Sequence, residues 1–151
     1  MINTFKLPLT IHYGSDQDIA IVTVLNELVG KWCLGLCLLR EGLIEYVSVK
    51  GHDGSAQIKI GQDTSIKEHE VGIVHRKGNI IQLMISQIEL ERWLHFFLKF
   101  YRDNQADVDH IDVDIAHDTS AGSKGLFLVL KVPVAAPPVS EQEARLRLGL
   151  A

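Results

Sequence analysis

From Arg102 to Asp118 the chain carries six aspartates, Asp103, Asp107, Asp109, Asp112, Asp114 and Asp118, against one basic residue. Alternation through Val108–Ala116 predicts a strand with Ile111, Val113 and Ile115 on one face and His110, Asp112 and Asp114 on the other. Two carboxylates and an imidazole at i, i+2 and i+4 suit three kinds of chemistry. They make a solvated face kept soluble by charge, a docking surface for a basic partner, or ligands for a divalent cation. Hard cations take carboxylates but usually draw convergent ligands from a loop, so no metal site is assigned. Like charges this close repel, and aspartate is a poor strand former, so the arrangement lowers stability. Asp107, Asp109, His110, Asp112, Asp114, His117 and Asp118 are therefore read as a partner-binding surface.

Other candidate chemistry dissolves on inspection. Ala121-Gly122-Ser123-Lys124-Gly125 is one residue away from a nucleophile elbow, which needs a strand before it and a helix after it. Here a strand follows, and the phosphate-loop spacing is also missing. Gly51-His52-Asp53-Gly54 reads as a turn, since adjacent residues on a tight turn rarely orient each other as base and partner. The seven histidines (12, 52, 69, 75, 95, 110 and 117) are scattered and form no zinc spacing. Cys33 and Cys37 read as two small buried hydrophobes on a strand, too far apart there for a disulfide, in a reducing compartment. No catalytic residue and no cofactor is assigned.

A chain of 151 residues, 46% hydrophobic and 23% charged, suits one globular domain and argues against global disorder. Its net charge of −4 opposes the basic surplus that nucleic-acid binding requires. No apolar run approaches the ~20 residues of a membrane span. Met1–Thr10 lacks the apolar core of a signal peptide and reads as a strand, so a cytoplasmic protein is expected.

The elements that would position these residues follow from periodicity. Thr4–Tyr13 alternates as one half-buried strand, with Pro8 placing it at a sheet edge or bulge. Ser15–Asp18 resembles a weak capping box, and Ile21, Val24, Leu25 and Leu28 then predict a helix over 16–29. Its run of β-branched residues also suits a strand. Trp32–Leu39, Leu43–Lys50 and Ser55–Ile60 read as an antiparallel meander, and Glu70–His75 with Asn79–Ile85 as a hairpin. Ser86-Gln87-Ile88-Glu89 is a full capping box opening an amphipathic helix at about 87–103, with Leu90, Trp93, Leu94, Phe97 and Tyr101 at helical spacing. Leu126–Val132 reads as a strand covered on both faces. The fold class is α+β: a mainly antiparallel sheet with the long helix packed on one face. Residues 1–134 form the domain, and 135–151 a proline-bounded tail, helical or extended, whose Leu146, Leu148 and Leu150 fold back or pack on a neighbour.

In style the chain resembles small bacterial immunity proteins that protect a cell against toxins. The resemblance rests on Ser86–Tyr101 as a capped aromatic helix, then Asp109–Asp114, then Leu126–Val132. It implies tight binding to one toxin, often a basic nuclease, with acidic side chains in the place of phosphate. Size, acidity and element order also resemble type III secretion chaperones, from which the leading strand and the hairpin at 70–85 depart. Two other classes remain open. One is a small-molecule-binding or enzymatic domain with a pocket lined by Trp32, Tyr46 and Trp93. The other is an oligomeric structural subunit joined through its tail. The reading adopted is a non-catalytic protein-binding module, with a protein partner, no nucleic acid and no membrane.

Overall fold

The computed structural model describes residues 4–13, 18–51, 57–67, 70–103, 108–115 and 125–132, with Gln142 and Leu146 in the tail. The elements run β1 (Thr4–Pro8), β2 (Thr10–Tyr13), β3 (Ile19–Thr23), α1 (Asn26–Arg40), β4 (Tyr46–Lys50) and β5 (Gln57–Gln62). β6 (Gly72–Lys77), β7 (Ile80–Ile85), α2 (Gln87–Asp103), β8 (His110–Ile115) and β9 (Leu126–Lys131) complete them. They build an α+β fold with two sheets, ordered β1-β4-β5-β7-β6 and β2-β3-β9-β8.

Both sheets are mixed rather than mainly antiparallel. β1/β4, β5/β7 and β3/β9 pair parallel, while β4/β5, β6/β7, β2/β3 and β8/β9 pair antiparallel. The hairpin explains one parallel pair: its second strand, β7, joins β5 directly and leaves β6 at the edge. The alternating segment 4–13 is two strands, one in each sheet, parted at the fully buried Leu9. Pro8 does sit on an edge strand, where its missing N–H breaks no ladder.

The helix expected over 16–29 is corrected to strand β3 followed by α1. The stiff β-branched side chains of Ile19, Ile21, Val22 and Thr23 lie well on a pleated ladder, and Ile19–Thr23 pairs with Phe127–Lys131. Of the expected capping box at Ser15–Asp18, only Asp18 lies within the described residues; its carbonyl accepts the Phe127 N–H at 2.8 Å. Trp32–Leu39, expected as a strand, is the second half of α1. Val29, Trp32, Cys33, Leu36 and Leu39 are its buried side chains, with Gly35 buried beside them, and they fall at helical spacing. The intervening Leu34 and Leu38 hide that period in the sequence. Gly30 and Gly35 look like stops, yet each admits a neighbour. A Cβ at Gly35 would lie 3.0 Å from the Phe5 ring, and one at Gly30 would lie 3.0 Å from the Tyr101 ring.

α2 occupies the expected span. Ser86 Oγ accepts the Glu89 N–H at 3.1 Å, so the cap forms. The box does not close: the Ser86 N–H donates to the Val71 carbonyl at 2.9 Å, and the Glu89 carboxylate turns to Arg92.

α1 lies against β1, β4 and β5, and α2 packs along α1. Trp32 meets Phe97 edge-on, with ring centroids 5.5 Å apart. One hydrophobic cluster includes residues of both helices and both sheets. Both cysteines are free thiols on α1, Cys33 buried and Cys37 half-buried. Burial, and secondarily Cys37, push the Cys33 thiol up to about 12. Among the described residues no helix is long and apolar enough to cross a membrane.

Two expectations follow. Gly35→Val forces a branched side chain into Phe5 and should lower unfolding free energy by about 2 kcal/mol, as overpacking does. Gly30→Ala meets only the exposed Tyr101 ring, which can swing away, and should be neutral or stabilising by up to about 1 kcal/mol. Urea denaturation separates the pair. The raised Cys33 thiol contributes stability that is present below its unfolded value near 9 and lost as pH rises towards about 12. Cys33→Ala should flatten the alkaline fall in stability across that window in pH-dependent urea melts.

Candidate protein-binding face

The acidic strand is where sequence alternation placed it. Among the described residues β8 is an edge strand, paired only with β9, and His110, Asp112 and Asp114 point outward while Val113 and Ile115 are buried. Asp112 stands opposite Val129, and Asp114 opposite Phe127. The structure thus brings Asp109, His110, Asp112 and Asp114 together. Asp107, His117 and Asp118 lie outside the described residues.

Asp109 and Asp112 flank His110. His110 Nδ1 is 2.7 Å from an Asp109 oxygen and Nε2 is 3.6 Å from an Asp112 oxygen. The hydrogen bond from His110 holds the Asp109 carboxyl below its ordinary range, with smaller help from the His110 and Lys131 charges. The imidazole meets carboxylates and, among the described residues, no hydroxyl or thiol. Among the described residues this is a negatively charged surface on which the imidazole has carboxylates, and no nucleophilic side chain, as its partners. No group of three metal-ligating side chains occurs among the described residues.

The backbone edge of β8 is closed by a side chain. The Val132 N–H donates to the Asp109 carbonyl at 2.8 Å, which makes that pair hydrogen-bonded. By antiparallel alternation, positions 110, 112 and 114 turn their peptide groups away from β9. Arg92 donates to the Asp112 carbonyl there at 2.8 Å while its guanidinium pairs with buried Glu89. A partner strand cannot add at Asp112 without displacing Arg92, so recognition falls to the outward side chains.

Those side chains have neighbours that sequence reasoning missed. Leu126–Leu130 is not covered on both faces: Phe127 is 38% exposed and Val129 half-exposed. On β3, Ile19 pairs with Phe127 and Ile21 with Val129, and Ile19 is 41% exposed. The outer face of the four-stranded sheet is therefore an apolar strip, Ile19, Ile21, Phe127 and Val129, bordered by Asp112 and Asp114. The signal was available in the run of apolar residues at Leu126–Leu130. It was ambiguous because burial on both faces and an open apolar face produce the same pattern.

The proposed aromatic pocket does not form. Trp32 and Trp93 are fully buried in the core, while Tyr46 lies on the outer side of the five-stranded sheet and accepts a bond from Gln82 at 2.9 Å.

No protein-family model matches the chain, and no curated protein matches it. Among solved structures it is similar to the crystal structure of Drosophila Suppressor of Fused, with a TM-score of 0.44 and 14% identity over 88% of this chain. The match spans 30% of that protein's chain, and a likeness at this level assigns neither fold family nor function.

The Arg92 bridge can be tested directly. Arg92→Ala strands the buried Glu89 carboxylate and frees the β8 edge. It should cost about 2 kcal/mol, within the range for hydrogen bonds to charged groups, and speed amide exchange through His110–Ile115. Arg102→Ala removes an exposed ion pair with Asp103 and should leave the urea midpoint and that exchange unchanged.

Proposed function

We propose that this chain is a non-catalytic protein-binding module that neutralises a basic partner, in the manner of an immunity protein acting on a bacterial toxin. The observation that carries the reading is the apolar strip Ile19–Ile21–Phe127–Val129 set beside the carboxylates of Asp112 and Asp114. A contiguous apolar patch on a protein surface is often functional, and a polar rim around an apolar patch is the usual composition of a protein interface. The apolar residues would supply affinity by burial. The aspartates would speed encounter with a basic surface and disfavour acidic competitors. Arg92, by closing the β8 edge, favours a side-chain-to-side-chain interface over strand addition.

The test is affinity capture from the native cell at low and high salt, repeated with Asp112→Lys/Asp114→Lys and with Phe127→Ala. Both aspartates are exposed, so the double variant should melt like the parent. A single stoichiometric basic partner, released at high salt, is expected. Its affinity should fall about 100-fold with the double charge reversal, and about 10-fold with Phe127→Ala. A partner held equally well by the double variant would exclude this face.

A further inference from the structure

The five-stranded sheet has the opposite electrostatic character. Val47 packs towards α1, as does Phe5, so Lys6, Ser48 and Lys50 turn to the outer side. Register places Lys6, Ser48 and Lys59 side by side across β1, β4 and β5, with Lys50 next to Gln57 one step along. Lys77 and His75 continue the same face on β6. None of the outward residues on these five strands is acidic, although the whole chain carries a net charge of −4.

At the corner of this face lies a cavity of about 360 Å³ lined by Lys6, Leu7, Pro8, Ser48, Lys50 and Gln57. Ser48 is 2% exposed, one of three buried polar or charged side chains among the described residues. Gln57 Nε2 donates to Ser48 Oγ at 2.7 Å. A hydroxyl both accepts and donates, so Ser48 retains an O–H that has no acceptor among the described residues. A buried donor left in that state is unfavourable, and an acceptor arriving in the cavity would relieve it. Lys6 and Lys50, at the rim, have no ion-pair partner among the described residues. Lys59, next to Ser48 on the same row, is held 5.8 Å from the centre of the Tyr46 ring.

We propose that this corner is a binding site for the oxyanion group of a small organic ligand. Two ammonium groups at the rim supply charge, and the Ser48 hydroxyl supplies a directed donor from the floor. The volume falls in the range of small-molecule sites, and Leu7 and Pro8 give it apolar walls, so the ligand has an organic body besides its charged end. The site lies on a different sheet from the acidic face and does not depend on it.

Amide resonances of the isotope-labelled protein, followed at low ionic strength, provide the test. Inorganic phosphate, glycerol phosphate and succinate would be titrated in turn, with sodium chloride at matched ionic strength as the control. Saturable shifts centred on β1, β4 and Gln57 are expected for at least one of the three oxyanions and not for chloride. A larger affinity for glycerol phosphate than for phosphate would mark the organic body as part of recognition. Saturation by succinate alone would make the oxyanion a carboxylate. Lys50→Gln, a change at an exposed position, should weaken binding about 10-fold, and Ser48→Ala about 5-fold, with the β4–β5 amide pattern otherwise kept. Shifts that fail to saturate, that chloride reproduces, or that Lys50→Gln leaves unaltered would overturn the proposal.

Discussion

The contact between Trp32 of α1 and Phe97 of α2 is the junction on which the rest of the structure depends. Neither sheet is large, and the two are joined through one apolar cluster whose largest side chains, Trp32, Trp93 and Phe97, come from the helices. The junction tolerates a defect: the indole N–H groups of Trp32 and Trp93 are buried with no acceptor among the described residues. Such a group costs about 1–3 kcal/mol. Burying an aromatic of 150–250 Å² at about 25 cal/mol per Å² contributes about 4–6 kcal/mol, so burial wins at each site. Aromatic mass matters more here than complete polar satisfaction. α1 carries its two glycines where a ring from another element arrives, Phe5 at Gly35 and Tyr101 at Gly30.

From that core the two sheets present outer faces of different character. The four-stranded sheet shows apolar residues bordered by aspartates, and the five-stranded sheet shows lysines around a serine and a glutamine. The net charge of −4 conceals this segregation, because it sums over both faces and the rest of the surface. What the average suggests about nucleic acid or other anions therefore does not hold for each face taken singly.

How legible this was depends on the distance over which the information is written. α2 was readable because its cap, its period and its aromatics occur within a score of residues, and the alternation of β8 is equally local. The hairpin of β6 and β7 was readable for the same reason. α1 was not, because Leu34 and Leu38 fill the polar face and Gly30 and Gly35 mimic breaks whose purpose lies in Tyr101 and Phe5. The division of 4–13 between two sheets at Leu9 leaves no mark on the alternation, which continues through it. The apolar strip needs Ile19 and Phe127 together, and the basic corner needs Lys6, Lys50 and Lys59 together. Neither grouping is a motif in the chain; each exists only once the parallel ladders are formed.

Those ladders also set the order in which the protein can be made. β3 lies between β2 and β9, and Ile19 pairs with Phe127, almost the full length of the domain away. Pairings so distant in sequence must close a long loop before any contact rewards it, and folds dominated by them form slowly. On the ribosome β3 emerges before β9, and its Ile19 waits for Phe127, a partner more than a hundred residues further along the chain. Until then its apolar outer residues and its unpaired backbone stand open together. Ile19 and Ile21, which lie beside Phe127 and Val129 in the finished sheet, are therefore exposed on an open strand edge for as long as β9 is missing.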